Sequence, residues 1–338
     1  MNPMPPPQSS EVEIICHRVG LLGNSAVHLK MIDELRRYAA VDATVLLEGA
    51  TGTGKELAAR ALHYLGQRRG GPFVPVDCGA LPETLFEAEL FGHARGAFTD
   101  ARKDMRGLIA QAEGGTLFID EIHALTARSQ AALLRFLQDH RFRALGGEQW
   151  RMANVRVVAA TNRDLDQGVR QGWFRGDLYY RLNVASVKVP ALAERADDVP
   201  LLVDAVIERL CRQYGMPQRF VDAASLAQLA SRDWPGNVRE LENVVHRAFL
   251  QSDGAQIRLD QAVGGAVEPG APCTHEAFNA ARAQALANFE SRYLRTMLAA
   301  THGNVSQAAR LSNKERRVFG RLMKRHGICR EEFAGRSG

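Results

Sequence analysis

The chain has 338 residues, of which 46% are hydrophobic, and a formal net charge of +5 at pH 7. This length suffices for two or three domains, and no apolar run approaches the ~18 residues of a membrane span. The N-terminal stretch MNPMPPPQSS lacks the apolar core of a signal peptide, and the five cysteines are scattered without a C-x-x-C pair. We therefore expect a cytoplasmic protein with reduced thiols, no membrane partner, no disulfide framework and no zinc site.

The excess positive charge is concentrated near the C-terminus. Residues 276–338 contain 12 Lys and Arg against 5 Asp and Glu, whereas the rest of the chain has 31 against 33. Such a basic tail predicts a module that binds a polyanion. A solvated helical tail that binds nothing is the alternative.

The first predicted elements surround a glycine-rich loop. Residues 1–20 are proline-rich and then mixed, which predicts a flexible N-terminal arm with no room for a sensory or receiver domain. Residues 44–47 read as a buried strand, and residues 57–65 as a helix. The sequence between them, GATGTGKE, consists of Gly49, Ala50, Thr51, Gly52, Thr53, Gly54, Lys55 and Glu56.

This loop has the spacing of a phosphate-binding loop. Its glycines let backbone N–H groups surround phosphate oxygens, and Lys55 adds a positive charge at the β- and γ-phosphates. Glu56 departs from the pattern, because Ser or Thr is usual there. Taken alone, the loop is also compatible with a glycine-rich turn between a strand and a helix.

Three further strands are predicted at residues 73–76, 116–119 and 155–160. Strands that alternate with helices indicate an α/β fold with a mostly parallel sheet covered on both faces. In such sheets, ligands bind beyond the carboxyl ends of the strands, where Asp120, Glu121 and Asn162 fall. Asp120 is a candidate ligand of Mg2+, Glu121 a candidate base for the attacking water, and Asn162 a group that orients this water or senses the γ-phosphate. The two acids alternatively cap a helix N-terminus, and Asn162 is alternatively an ordinary turn residue.

The segment WFRGDLYYRL carries Arg175 and Arg181. These arginines either form surface ion pairs or reach into the nucleotide of a neighbouring subunit. Beyond Pro190 the pattern predicts a small helical domain with helices at Val199–Tyr214, 223–231 and 238–250, the last beginning near Arg239. Residues 251–275 are rich in Gly, Ala and Pro, as in a linker.

The tail reads as a helix over residues 276–300 followed by a helix-turn-helix. Asn304 or Ser306 is the predicted N-cap of the first short helix, and Ala308 and Ala309 allow a close helix crossing. The second helix carries the predicted DNA-binding residues Arg316, Arg317, Arg321 and Lys324.

Together these motifs resemble the NtrC-type AAA+ activators of sigma-54 RNA polymerase, over residues 22–328. The resemblance rests on GATGTGKE, ELFGHARGAFTDA, GGTLFIDEI, VVAATN, FRGDLYYRL, WPGNVREL and a Fis-like GNVSQAAR. It implies an AAA+ P-loop NTPase at residues 21–190, a helical lid at 191–250 and a helix-turn-helix domain at 276–338. Glu after the lysine is common in this family, so Glu56 fits it.

The resemblance also implies a loop that contacts sigma-54. The family sequence GAFTGA appears here as GAFTDA, in which Phe98 and Thr99 would touch sigma-54. Asp100 replaces the second glycine, which removes backbone freedom and adds a negative charge. Asp77 stands where the family often has an Asn that restrains the catalytic Glu, and Ser312 and Lys314 occupy positions that are usually apolar in relatives.

The implied mechanism is ATP hydrolysis with Mg2+ in a ring, expected to be a hexamer, that remodels the closed complex of the sigma-54 RNA polymerase holoenzyme. Arg239 would sense the γ-phosphate, Arg175 and Arg181 would enter from the next subunit, and the tail would bind enhancer DNA. Without a regulatory domain, control is expected from a trans-acting regulatory protein or from expression level. The alternatives are an AAA+ motor that acts on DNA directly, a non-catalytic DNA-binding regulator, and a regulator whose ATPase is uncoupled by Asp100.

Overall fold

The computed structural model describes residues 9–80, 83–97, 103–252 and 254–257, and farther on residues 294, 297–298, 301, 303–312 and 316–328. The chain divides into two compact units, residues 1–265 and residues 266–338. In the described residues no helix is long and apolar enough to cross a membrane.

A five-stranded parallel sheet lies at the centre of the first unit, with the order β2-β5-β8-β1-β9. The strands are β1 (Val45–Glu48), β2 (Phe73–Asp77), β5 (Thr116–Asp120), β8 (Arg156–Thr161) and β9 (Ala185–Lys188). The inner strands are almost completely buried, as expected for a parallel sheet with helices on both faces. The predicted α/β sheet and its four predicted strands are confirmed, and the edge strand β9 is an addition.

Helices cover both faces of this sheet. They are α1 (Ser9–Val19), α2 (Ala26–Ala39), α3 (Lys55–Leu65), α4 (Glu83–Phe91), α5 (Leu108–Gln111), α6 (Ala127–Asp139), α7 (Leu165–Gln171) and α8 (Gly176–Leu182). Successive strand residues point to opposite faces, so one sheet supplies two hydrophobic cores. Leu117 and Ile119 of β5 pack into one core, and Phe118 between them packs into the other.

The first helix contradicts part of the flexible-arm prediction. In α1, Val12 and Cys16 are buried in the core that also contains Leu62 of α3. An ion pair of 2.9 Å between Arg69 and Glu11 adds a polar contact. Residues 9–19 are therefore a packed helix, because their apolar side chains recur at helical spacing. Residues 1–8 lie outside the described residues.

Two short antiparallel hairpins project from the sheet. One pairs β3 (Gly92–His93) with β4 (Met105–Arg106), and the other pairs β6 (Arg141–Phe142) with β7 (Arg151–Met152). They are tied together where Ala94 N donates to Leu145 O (2.8 Å) and Leu145 N donates to Gly92 O (2.8 Å). The segment between β3 and β4 is therefore anchored at its base to the second hairpin.

The lid follows as a helical layer. It contains a 3-10 segment (Leu192–Asp198) and the elements α9 (Val199–Tyr214), β10 (Phe220–Val221), α10 (Ala223–Ala230), α11 (Asn237–Gln251) and β11 (Gln256–Ile257). The three predicted lid helices are confirmed to within one residue at each end. Because β11 pairs with β10 and Ile257 is buried in the lid core, the lid extends beyond the predicted boundary at 250, and the linker cannot begin at 251. Residues 258–275 lie outside the described residues.

In the second unit the structure describes two short helices, α12 (Val305–Leu311) and α13 (Arg316–Arg325). The side chain of Asn304 caps α12 by accepting from Gln307 N at 3.2 Å, which confirms one of the two predicted caps. Ala308, Ala309, Phe319 and Met323 form the small core between the helices. The arrangement matches the predicted helix-turn-helix, while Lys314 in the turn lies outside the described residues.

Candidate nucleotide-binding site

The phosphate loop connects β1 to α3 in a conformation that requires glycine. Gly52 and Gly54 have φ values of +79° and +101°, in the left-handed region that side chains rarely adopt. Inside the loop, Lys55 Nζ donates to Gly49 O (2.8 Å) and to Ala50 O (3.1 Å). Thr53 Oγ1 also donates to Ala50 O at 2.9 Å. The loop is thus folded around its lysine, and its predicted position between strand and helix is confirmed.

Two carboxylates face this lysine from the end of β5. Burial raises the pKa of Asp120, although the amide of Glu121 and the charge of Lys55 oppose that shift. Burial also lowers the pKa of Lys55, while Asp120 and Glu121 oppose the change. One positive and two acidic side chains therefore share a partly desolvated cleft, where electrostatic interactions are stronger than in water.

Glu121 adopts an unusual backbone and a crowded position. Its φ is +52°, and its amide donates to Asp120 Oδ1 at 2.9 Å. A Cβ placed on Gly79 would lie 2.2 Å from Glu121 Oε2, so this carboxylate rests against the glycine. Asp77 Oδ1 accepts from the amides of Gly79 (2.8 Å) and Ala80 (3.2 Å) in the same loop. The structure therefore brings Asp77 and Glu121 together, as the resemblance implies.

Asn162 and Arg239 also reach the phosphate loop. Asn162, just after β8, donates from Nδ2 to Thr51 Oγ1 at 2.7 Å. Arg239, in the first turn of α11, borders the same cleft, which has a volume of about 380 Å3. Its lining is contributed by Val19, Gly20, Thr51, Gly52, Gly54, Lys55, Glu56, Leu57, Asp120, Glu121, Arg209, Val238, Arg239 and Glu242.

The lid contacts the loop directly. A Cβ on Gly52 would lie 2.3 Å from Gly236 O, so the two backbones touch there. Asn237, at φ +53°, donates from Nδ2 to Thr51 O (3.0 Å) and accepts from Leu192 N (2.8 Å). Lid orientation and loop conformation are consequently linked by hydrogen bonds.

A cavity of about 640 Å3 with apolar and charged walls adjoins the cleft and shares the apolar residues Val19, Leu57 and Val238 with it. Its other apolar walls include Leu22 and Leu202. The residues of α1 and of the lid that line this cavity are not among the predicted site residues. The helical spacing of the apolar residues at 12, 15, 16 and 19 is the sequence pattern that predicts helix α1. No local sequence pattern predicts that lid side chains lie near the phosphate loop, because only the tertiary fold brings them there.

Comparison with known proteins decides the family. Residues 21–188 match the Sigma-54 interaction domain, residues 193–264 the AAA+ ATPase lid domain, and residues 285–326 the bacterial regulatory protein, Fis family. The transcriptional regulatory protein GlrR of Escherichia coli K12 is 42% identical over 316 residues, which cover 94% of this chain and 70% of GlrR. The chain belongs to the NtrC-type sigma-54-dependent activators. It is accordingly a sigma-54-dependent transcriptional activator with an AAA+ ATPase unit and a DNA-binding helix-turn-helix.

Other relatives support the same assignment. The Nif-specific regulatory protein of Azotobacter vinelandii is 48% identical over 240 residues, which cover 71% of this chain and 46% of that protein. The crystal structure of NtrX from Brucella abortus in complex with ATP is 31% identical, with a TM-score of 0.68, and the alignment covers 94% of this chain and 72% of NtrX. The NtrX complex with ADP is equally similar, with a TM-score of 0.67. Nucleotide binding and ATPase activity are thus supported for the family to which this chain belongs.

In this activator, Arg175 and Arg181 do not line the described cleft of their own chain. Arg175 forms an ion pair of 2.8 Å with Asp177 on the surface. Arg181 donates from Nε and Nη2 to Leu137 O, near the C-terminus of α6 (3.1 and 2.9 Å). Their predicted role in a neighbouring subunit stays a prediction.

The two predicted contact surfaces differ in how far the structure describes them. Phe98, Thr99 and Asp100 lie outside the described residues, between β3 and β4. In the DNA-binding unit, the four predicted DNA-binding side chains of α13 are exposed; they are Arg316, Arg317, Arg321 and Lys324.

A magnesium ion fits the cleft only with help from the nucleotide. Among the described residues, no group of three or more His, Cys, Asp or Glu side chains could hold a metal ion by itself. Mg2+ at nucleotide sites uses one or two carboxylates, and phosphate oxygens and water complete its coordination. Asp120, partly buried and beside two further acidic groups, suits that arrangement.

Proposed function

We propose that this activator hydrolyses ATP with Mg2+ in the cleft and uses the reaction to remodel the sigma-54 polymerase complex. One observation carries the proposal: Lys55, Asp120, Glu121 and Arg239 border the same cleft at the end of the sheet. These groups can hold phosphates, a metal and a water molecule, which are the parts that phosphoryl transfer needs.

Each side chain has a proposed role. Lys55 and the loop amides bind the phosphates, and the apolar part of the adjoining cavity takes the adenine base. Asp120 would hold Mg2+, and the ion would neutralise part of the negative charge of the phosphates. Glu121 polarises the attacking water. Asp77 stands where relatives often carry a restraining Asn, and its carboxylate would repel an ionised Glu121, so the restraint on Glu121 differs from the one in the family. Asn162 and Arg239 sense the γ-phosphate, since the Asn162 side chain donates a hydrogen bond to Thr51 of the phosphate loop and Arg239 lines the cleft.

The proposed active form is a ring, expected to be a hexamer, in which Arg175 and Arg181 complete the neighbour's site. Both lie outside the cleft of their own chain, and the Arg175 side chain is 45% exposed. Hydrolysis would move the loop that contains Phe98 and Thr99 against sigma-54. The exposed basic residues of α13 would hold the ring on enhancer DNA and raise its concentration near the promoter. We also propose that a trans-acting regulatory protein controls the ring.

The experiment measures ATP hydrolysis and open-complex formation with sigma-54 polymerase, with and without ATP and Mg2+. We expect Lys55→Ala to lose at least 100-fold in kcat/KM for ATP and to form no open complex. Lys30→Ala on the exposed surface of α2 is the control. Normal hydrolysis by Lys55→Ala would refute the site, and open complexes with the housekeeping polymerase alone would refute the function. DNA-stimulated hydrolysis without sigma-54 dependence would favour the DNA-motor alternative.

Coupling is tested separately through Asp100. The aspartate restricts the backbone and adds charge where the family has glycine. We expect Asp100→Gly to increase open complexes formed per ATP hydrolysed, with an unchanged hydrolysis rate. Fewer open complexes in the variant would show that Asp100 instead serves this protein's own sigma contact.

A further inference from the structure

A buried polar cluster lies behind the phosphate loop, away from the nucleotide cleft. It consists of His28, Arg195 and Asp198, whose exposed fractions are 1%, 3% and 1%. His28 belongs to α2, and the other two belong to the 3-10 segment that starts the lid. Buried charges of this kind are costly unless they are paired and hydrogen-bonded, and in this His28 cluster Arg195 Nε is a buried atom without a hydrogen-bond partner among the described residues.

The guanidinium of Arg195 joins three parts of the chain. Its Nη2 donates to Thr53 O in the phosphate loop at 3.1 Å. Its Nη1 contacts His28 Nδ1 at 2.9 Å and Leu22 O at 3.4 Å. A buried lid residue therefore holds the backbone of the loop that binds phosphates. His28, Thr53 and Leu22 do not line the nucleotide cleft, although Leu22 lines the adjoining cavity.

Asp198 fixes the other side of the cluster. Its Oδ1 accepts from Asn24 N (2.6 Å) and Ser25 N (2.8 Å), and its Oδ2 accepts from Ser25 Oγ (2.8 Å). Gly23 leaves no room for a side chain, since a Cβ there would lie 2.6 Å from the His28 ring and 2.7 Å from Asp198 Oδ2. The segment that leads into α2 is thereby closed over the cluster.

The charge state of His28 follows from its partner. A guanidinium has donors only, so Nδ1 must accept the hydrogen bond and the ring must be neutral, with any proton on Nε2. Burial, followed by the nearby Arg195, lowers the pKa of His28 to about 4. Neutral imidazole at physiological pH is therefore consistent with the geometry.

We propose that His28 is a positioning residue for nucleotide binding: it orients Arg195, which holds Thr53 and hence the phosphate loop in its binding conformation. This inference rests on the proposed ATPase function of the cleft. His28 itself touches neither the cleft nor the predicted catalytic groups, so its loss weakens binding without removing a catalytic residue.

The test compares His28→Leu with His28→Asn. Leucine removes the acceptor, whereas asparagine places an oxygen near the position of Nδ1. We expect His28→Leu to raise the Kd for a fluorescent N-methylanthraniloyl-ADP and the KM for ATP about tenfold, with kcat at saturating ATP within twofold of wild type. We expect His28→Asn to restore most of this affinity.

A second buried histidine provides a matched control. His63 in α3 is also 1% exposed, and its side chain forms a hydrogen bond with Thr116 Oγ1 at 2.9 Å. His63→Leu therefore imposes a similar loss of a buried hydrogen bond, but that bond goes to Thr116 of β5 and not to the phosphate loop. We expect His63→Leu to lower Tm without changing the Kd for the fluorescent ADP.

The outcomes separate the two proposals. If wild type itself binds no ADP, the proposed nucleotide function fails; if wild type binds and a folded His28→Leu binds equally well, only the role of His28 fails. Equal loss of affinity in His28→Leu and His63→Leu would mean a general structural effect and would also overturn the proposed role of His28.

Hydrogen exchange of wild type provides a measurement that needs no variant. ADP should slow exchange of the Asn24 and Ser25 amides, and unchanged exchange contradicts the proposed linkage.

Discussion

Glu121, the proposed base for the attacking water, occupies its position at a cost to its backbone. A non-glycine residue at φ +52° costs roughly 1–3 kcal/mol. The turn lets Ile122 enter the core while the Glu121 carboxylate borders the cleft beside Asp120. Such backbone strain persists only where the surrounding structure holds the residue in place. Here the backbone of Glu121 continues from β5, and its carboxylate lies against Gly79.

Gly79→Ala tests the placement of Glu121. The new Cβ would lie 2.2 Å from Glu121 Oε2, so the carboxylate must leave its position against this loop. We expect kcat for ATP hydrolysis to change about tenfold, downward if the observed position is the one that polarises water, with KM within twofold. Steady-state kinetics measures both constants.

Gly70→Ala is the control for that substitution. A Cβ on Gly70 would have no atom within 4 Å, so the same chemical change near the start of β2 should leave kcat unaltered. A Gly79→Ala protein with wild-type kcat would show that Glu121 does not depend on the glycine.

His28 makes stability depend on pH. Its pKa is lowered from 6.5 to about 4 by burial and by Arg195, against the opposing charge of Asp198. Above pH 6.5 the His28 ring is neutral in both the folded and the unfolded state, so its full contribution to the stability of the folded state is present. As the pH falls below 6.5, the unfolded chain takes up a proton first and the folded state loses stability.

We expect this residue to contribute about 2–3 kcal/mol to the loss of unfolding free energy between pH 7 and pH 4.5. Urea denaturation of wild type and His28→Asn at both pH values measures the contribution, because other titrating groups are common to the two proteins. Parallel pH profiles would contradict the shifted pKa.

At the scale of elements, the sequence predicts what is encoded locally. Residues 116–119 are predicted as a strand because a threonine and three apolar residues precede two acids, and the observed β5 is longer by one residue. The edge strand β9 is absent from the predicted strands, although Ser186 and Lys188 alternate with buried apolar residues in the pattern of a half-buried strand. Arg195 and Asn237 donate hydrogen bonds to phosphate-loop residues that are 142 and 186 positions away in the sequence. No local sequence pattern encodes such distant contacts.

Asn237 connects the lid to the phosphate loop through side-chain hydrogen bonds. Asn237→Ala loses the bonds to Thr51 O and Leu192 N and places alanine at φ +53°. We expect a loss of about 2–4 kcal/mol in unfolding free energy, measured by urea denaturation. Asn237→Gly removes the same bonds without backbone strain and should lose less. Equal losses in the two variants would assign the whole effect to the bonds.

At the scale of the whole molecule, charge is divided between the two units. Residues 276–338 carry the excess of Lys and Arg, and the ATPase unit is near neutral. The sequence predicts this division fully, because formal charge needs no fold. Individual base contacts are not predictable in the same way, since they depend on the turn before α13.

DNA binding should therefore depend strongly on salt. Each phosphate contact lowers the slope of log K against log salt by about 0.9 for duplex DNA. We expect Arg321→Ala to weaken binding to duplex DNA and to reduce the magnitude of that slope by about one, measured by fluorescence anisotropy at several salt concentrations. Lys30→Ala in the ATPase unit is the comparison, and an unchanged slope for Arg321→Ala would remove this residue from the phosphate contacts.

The packed helix α1 has a practical consequence for anyone who produces the ATPase unit alone. The match to the Sigma-54 interaction domain starts at residue 21, yet Val12 and Cys16 fill the core beneath α3 and Val19 borders the cleft. A protein trimmed to the family boundary would expose that core and open one wall of the cleft. A shortened protein for crystallisation or inhibitor screening should therefore begin before Ser9, so that it keeps the whole of α1.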